Sequence, residues 1–104
     1  MLIYVCSPFS APTPEGILEN IENAKTYCRR VVEQGRQPMA PHLLYPRFMN
    51  DNDPAQRELG LDFAKTLLRF CDEIWVFGDM ISRGMCAELE LADYLGIPIK
   101  HKES

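Results

Sequence analysis

The sequence has few basic residues and lacks a long apolar run. Its 104 residues include 11 lysines and arginines against 15 aspartates and glutamates, a net charge of −4. Nucleic-acid binding through a broad patch needs clustered bases, so this balance argues against it. No segment approaches the roughly 20 apolar residues that span a bilayer, and no secretory signal is recognisable. We therefore expect a cytoplasmic protein without nucleic-acid or membrane partners.

The cysteines show no metal-binding or disulfide spacing. They stand at positions 6, 28, 71 and 86, with neither a CxxC nor a CxxxC pair. Each falls within a predicted strand or helix, where a reduced thiol packs as a small hydrophobic group. We expect reduced core cysteines, no metal and no cofactor.

The chain length predicts a single domain. A chain of 104 residues, 46% of them hydrophobic, can bury one modest core. Neither an internal repeat nor a low-complexity tract divides the sequence. We therefore expect one domain over residues 1–104.

Hydrophobic periodicity and helix caps predict alternating strands and helices. The strands are expected at residues 2–6, 39–42, 73–77 and 97–100. The helices are expected at residues 14–34, 54–71 and 83–95, each with an N-cap residue before it. A long loop over residues 43–53 separates the second strand from the second helix, and loops of this length are often functional.

This element order predicts an α/β fold with a small doubly wound parallel sheet, flavodoxin-like or Rossmann-like, and helices on both faces. With about four strands in the order 2-1-3-4, the winding direction switches between the first and third strands. Ligands of such sheets bind at that switch, outside the carboxyl ends of the strands. The loops at residues 7–13 and 78–82 are therefore the expected binding loops.

Glu88 is the most informative residue of the third helix. At about 100° per residue it shares a face with Leu91, Ala92 and Leu95, whereas Glu90 lies on the opposite, polar face. A carboxylate on a buried face is costly unless it is paired, hydrogen-bonded or directed into a cleft. Both a reactive carboxylate and a structural one fit this position.

The start of the same helix suits an anion. Ser82 precedes the first free backbone amides, and Gly84 has no side chain to obstruct them. A phosphate can approach the backbone at such a place. Ser82 also fits the simpler role of an N-cap.

Several segments resemble the nucleoside 2-deoxyribosyltransferase-like superfamily. They are Tyr4 in the first strand, the loop Ser7-Pro8-Phe9, residues 72–78, and Ser-x-Gly-Met-x-x-Glu-Leu at residues 82–89. The superfamily includes deoxyribosyltransferases, 2′-deoxynucleoside 5′-monophosphate N-glycosidases, and small bacterial and phage domains. The resemblance implies N-glycosidic bond hydrolysis or (deoxy)ribosyl transfer on a nucleoside 5′-monophosphate-like substrate.

The resemblance also implies roles for individual residues. By position, Glu88 matches the catalytic glutamate, and Tyr4 matches the tyrosine that helps to hold it. Ser82 looks like the serine that holds the 5′-phosphate in the monophosphate N-glycosidases. Glu88 would attack the anomeric carbon to form a glycosyl ester, which water or a second base then resolves.

Other expected site residues flank these three. Substrate-binding positions besides Ser82 are Ser7, Pro8, Phe9, Gly84 and Met85. Phe9, Tyr45 and Phe48 fit either stacking on the base or packing in the core. Asp79, just after the third strand, is the preferred second carboxylate, although a solvated turn residue fits equally well. His42 fits a substrate contact or, preferably, the end of the second strand.

The second helix supplies another acid, Asp62. Helical spacing places Asp62 on the polar side, opposite Leu59, Phe63 and Leu67, so we expect it to be exposed. The second carboxylate of the superfamily is matched only incompletely in this sequence. An alternative function is therefore a non-catalytic module that binds a nucleotide or a nucleotide derivative. A short sheet leaves an open edge, and superfamily members commonly complete their sites between subunits, so we expect a homo-oligomer.

Overall fold

Four parallel strands build the sheet that positions the candidate site. The computed structural model describes residues 1–50 and 52–102. The strands, in the spatial order β2-β1-β3-β4, are β1 (Leu2–Cys6), β2 (Gln37–Met39), β3 (Glu73–Val76) and β4 (Ile99–His101). The helices are α1 (Pro14–Glu33), α2 (Pro54–Leu68) and α3 (Arg83–Leu95). This confirms the predicted α/β class and the strand order 2-1-3-4.

Helices cover both faces of the sheet because successive side chains of a strand point to opposite faces. On one face, Tyr4 and Cys6 pack in a cluster with Leu68 of α2 and Met85 of α3. On the other face, Ile3 and Val5 of β1 and Trp75 of β3 form a cluster with two residues of α1, Tyr27 and Val31. Both strands at the centre are therefore buried on both sides, as in other parallel sheets.

Side-chain caps begin the three helices at the predicted residues. Thr13 accepts a hydrogen bond from the Gly16 amide at 3.1 Å, and Asp53 accepts one from the Ala55 amide at 3.0 Å. Ser82 caps α3 in the same way. These caps satisfy backbone amides that have no partner within the helix.

Several predicted boundaries were wrong, and the second strand begins at Gln37 rather than at 39. The second strand ends at Met39 instead of 42, because Pro41 cannot donate to a strand ladder and instead starts a single 3₁₀ turn, Pro41–Leu43. α2 ends at Leu68, three residues before the predicted end, and β4 begins at Ile99 rather than 97. The loop predicted over residues 43–53 contains a second 3₁₀ turn, Tyr45–Arg47, and its residue Asp51 lies outside the described residues.

Two expectations about buried faces also needed correction. α2 buries Ala64 and Leu68, whereas Leu59 and Phe63 are 48% and 39% exposed. Asp62 is exposed, as predicted. All four cysteines are free, but Cys86 is exposed because it lies on the polar side of α3.

Candidate active site

A cavity of about 190 Å³ opens at the carboxyl ends of the strands. Phe9 from the loop after β1, His42 from the segment after β2 and Ser82 from the loop after β3 all line it. The facing sides of α2 and α3 and the segment that contains Tyr45, Pro46 and Met49 form the other walls. The cavity therefore lies at the switch in winding direction, where open α/β sheets bind their ligands.

The structure brings together five of the nine predicted site residues. The residues that line the cavity are Phe9, Ser82, Gly84, Met85 and Glu88. Tyr4 is completely buried in β1, close enough to Glu88 for each side chain to affect the pKa of the other.

The other three predicted residues do not line the cavity. Ser7 is buried, and Pro8 lies beside Gly78 of the loop after β3. Gly78 has φ 93°, and an added Cβ there would lie 3.6 Å from Pro8 Cδ, so these two loops pack closely. Asp79 is exposed at the surface of the second loop.

The Glu88 carboxyl lies in the cavity wall while only 2% of the residue is exposed. Its Oε2 atom is buried and has no hydrogen-bond partner in the described part of the chain. Burial raises the pKa of Glu88 from 4.5 to about 7, although interactions with Tyr4 and Cys6 lower the pKa in part. The carboxyl group is therefore poised to gain or lose its proton near neutral pH.

Neutral polar groups surround this carboxyl. Burial, followed by the charge of Glu88, raises the pKa of the Tyr4 hydroxyl and of the Cys6 thiol well above their usual ranges. Tyr4 and Ser7 each have a buried hydroxyl oxygen without a hydrogen-bond partner among the described residues. The Tyr4 hydroxyl thus affects the pKa of Glu88 because the two groups are close, although they do not form a well-aligned hydrogen bond.

The start of α3 forms one end of the cavity. Ser82 Oγ accepts from the Met85 amide at 3.3 Å, and the Ser82 amide donates to Met85 Sδ at 3.4 Å. The hydroxyl proton of Ser82 is still available to a ligand, because the cap uses only the oxygen as an acceptor. An added Cβ on Gly84 would meet nothing within 4 Å, so the backbone is accessible there.

Sequence reasoning missed most of the wall that α2 contributes. Arg57, Gly60, Leu61 and Ala64 line the cavity with the spacing i, i+3, i+4 and i+7 of one helix face. That spacing is readable in the sequence, but Leu59 and Phe63 offered a more hydrophobic alternative face. Arg83 of α3 also lines the cavity and was not predicted.

His42 belongs to the cavity wall. Its ring stacks on Phe9, with centroids 5.0 Å apart and an angle of 16° between the planes. The preferred interpretation of His42 as the end of a strand was wrong, because β2 ends three residues earlier. The stacked pair gives the cavity one flat aromatic wall.

Comparisons with known proteins identify the family and the fold. A family model described as a domain of unknown function, DUF7768, matches residues 1–102. The chain belongs to this family. No curated protein matches the sequence.

Among solved structures, a 2-deoxyribosyltransferase from the psychrotolerant bacterium Bacillus psychrosaccharolyticus is similar, with a TM-score of 0.71. The two sequences are 20% identical, and the similarity covers 99% of this chain and 72% of that chain. At this identity the comparison shows that the DUF7768 chain has the same fold.

The described part of the chain contains neither a metal-binding cluster nor a membrane-spanning helix. Within residues 1–50 and 52–102, no group of three or more histidine, cysteine, aspartate or glutamate side chains is arranged to hold a metal ion. None of the helices in these residues is long and apolar enough to cross a membrane.

Proposed function

We propose that the protein cleaves or transfers the N-glycosidic bond of a nucleoside 5′-monophosphate-like substrate, with Glu88 as the nucleophile. The observation that carries this proposal is the buried Glu88 carboxyl: its Oε2 has no partner among the described residues, and Glu88 lines the cavity at the carboxyl ends of the strands. The fold, shared with a 2-deoxyribosyltransferase, supports the same class of reaction.

The reaction begins with attack of the ionised Glu88 carboxylate on the anomeric carbon of the sugar. A bond forms between that carbon and the carboxylate oxygen while the carbon–nitrogen bond breaks, and the base leaves with the electron pair and takes up a proton. Water or a second base then attacks the same carbon, and the Glu88 carboxylate is released. Hydrolysis and transfer differ only in this acceptor.

Tyr4 acts as a positioning residue. It is completely buried behind Glu88 and stays protonated because burial raises its pKa. A neutral hydroxyl can donate to the carboxylate without adding charge, and it thereby favours one orientation of the Glu88 side chain. The base would lie against the aromatic wall formed by Phe9 and His42. Asp79 is outside the cavity wall, so we assign it no step.

A panel of substrates tests this proposal. Nucleosides, their 5′-monophosphates and NAD are incubated with the wild-type protein, and the released base is measured by chromatography. We expect release from a nucleoside 5′-monophosphate by the wild type, and loss of release in Glu88→Gln. Glu90→Gln makes the same chemical change on the exposed face of α3, and we expect it to keep the activity.

A non-catalytic nucleotide-binding module is the second candidate. The observation that favours it is the absence of Asp79 from the cavity wall, which leaves Glu88 as the one carboxylate among the described residues that line the cavity. A binding module would release no base, yet it would be stabilised against heat by one nucleotide, both as the wild type and as Glu88→Gln. Base release by the wild type would rule this candidate out.

We also propose that the protein assembles with a second copy of itself. Phe48 and Phe63 are exposed, and both contact Tyr45, which lines the cavity. Leu59 lies one helical turn before Phe63 and is 48% exposed. A contiguous apolar patch of this kind marks an interaction surface. Light scattering should give the mass of a dimer or larger assembly, and Phe63→Ser should shift the mass towards that of a monomer.

A further inference from the structure

We infer that Arg57 and Arg83 form an anion-binding end of the cavity and select phosphorylated over unphosphorylated substrates. This inference rests on the proposed function, because it names the residues that determine the substrate class of the same site. It differs from the proposed role of Ser82, which supplies a neutral hydroxyl rather than charge.

The two arginines lie at the outer ends of the walls that contain them. On α2 the lining face runs from the exposed Arg57 to the buried Ala64, a rise of about 10 Å at 1.5 Å per residue. On α3 it runs from the exposed Arg83 to the buried Glu88, a rise of about 7.5 Å. Each wall therefore carries positive charge at its exposed end, away from the reactive carboxyl.

Neither arginine is paired with an acidic side chain in the part of the chain that the structure describes. Among residues 1–50 and 52–102, neither side chain forms a salt bridge, and both ion pairs present involve lysines. Neither arginine is among the groups that shift the pKa of Glu88. Among the described residues that line the cavity, Glu88 is the one acid, although the whole chain has a net charge of −4. The described residues that line the cavity thus include more basic than acidic side chains, although the whole chain has a negative net charge, and this favours an anionic ligand.

The cavity wall is open beside each arginine. Gly60 follows Arg57 by three residues and Gly84 follows Arg83 by one, and both glycines line the cavity. An added Cβ at either glycine would meet nothing within 4 Å. A phosphate group can therefore approach the walls closely while its oxygens receive hydrogen bonds from the guanidinium groups.

The reactive carboxyl and the two arginines lie at different ends of the same cavity. A nucleoside 5′-monophosphate has its phosphate several bonds from the anomeric carbon, and the cavity has its cations several ångströms along each helix from Glu88. The buried, unpartnered Glu88 Oε2 marks the reactive end, and the arginines mark the anionic end. A ligand that spans both ends would place the bond to be broken at the carboxyl group.

Calorimetry on the protein with Glu88→Gln tests this inference without turnover. The probes are a nucleoside 5′-monophosphate and the matching nucleoside. We expect Arg57→Gln and Arg83→Gln each to weaken nucleotide binding roughly tenfold or more, because a charge-assisted hydrogen bond to phosphate is lost. Nucleoside binding should change less than about twofold. Arg29→Gln removes an exposed charge from α1, and we expect it to change neither affinity.

Equal affinity for the nucleotide and the nucleoside, or no detectable nucleotide binding, would overturn the inference. A ratio of the two affinities that is unchanged in both arginine variants would also overturn it. The outcome is independent of catalysis. If nucleotide binding depends on the arginines but no base is released, the proposed function is refuted and this inference is supported. If base is released at the same rate with and without the two arginines, the proposed function is supported and this inference is refuted.

Discussion

Replacement of Glu88 by glutamine should change how the stability of the protein depends on pH. Burial raises the pKa of Glu88 from 4.5 to about 7, so the folded protein holds this proton up to about pH 7, whereas the unfolded chain loses it near pH 4.5. The stability from this group is fully present below pH 4.5 and is lost as the pH rises through 7. Between pH 5 and pH 8 the loss is about 2–3 kcal/mol.

Glutamine has nearly the same shape and cannot ionise, so it removes this loss. We expect the free energy of unfolding of Glu88→Gln to rise by about 2–3 kcal/mol relative to that of the wild type between pH 5 and pH 8, whatever the difference is at pH 5. The difference between the two proteins cancels the contributions of other titrating groups. Tyr4 and Cys6, the groups nearest the carboxyl, stay neutral over this range because burial raises the pKa of each.

Urea unfolding at both pH values measures the effect. The single tryptophan, Trp75 of β3, is buried in the cluster that β1 and β3 form with α1, so its fluorescence reports unfolding of the sheet. Glu90→Gln is the control, because the exposed side chain should leave the pH dependence as it is in the wild type. A constant stability difference between Glu88→Gln and the wild type at pH 5 and pH 8 would refute the assignment of a buried, neutral carboxyl.

Three further substitutions test the packing. Gly60→Ala should stabilise the protein by about 0.5–1 kcal/mol in urea unfolding, because the added methyl group meets nothing and α2 loses a flexible glycine. Leu68→Ala should destabilise it by about 2–5 kcal/mol in the same assay, because the side chain is completely buried between α2 and the sheet. Ser82→Ala should cost about 1 kcal/mol through loss of the N-cap, and it should also weaken nucleotide binding in calorimetry. No change in stability for Leu68→Ala or Ser82→Ala would contradict the contacts described.

Much of the fold was predictable because local signals and topology agree. The helix caps at Thr13, Asp53 and Ser82 precede three periodic segments, and the buried strands at residues 2–6 and 73–76 read as short apolar runs. Alternation of strands and helices then predicts a parallel sheet. The short edge strands were harder to place, because pairing with a neighbour rather than hydrophobicity decides where they begin and end.

The site was predictable only where one residue broke a pattern. Glu88 stood out as a carboxylate on an apolar helix face, and the structure places it in the cavity wall. Arg57 and Arg83 gave no such signal, because an arginine near the start of an exposed helix looks like any solvated charge. The wall on α2 was misassigned because Leu59 and Phe63 suggest a buried face, yet these side chains remain exposed beside the cavity.

The rate of base release as a function of pH tests the central claim most directly. The substrate is the best nucleoside 5′-monophosphate from the panel, and the proteins are the wild type and Glu88→Gln. The nucleophile must be ionised, so we expect the wild-type rate to rise with pH to a plateau, with a midpoint near the Glu88 pKa of about 7. Glu88→Gln should be slower by about a thousandfold or more at the plateau. Base release by Glu88→Gln at the wild-type rate would contradict the claim that Glu88 attacks the sugar.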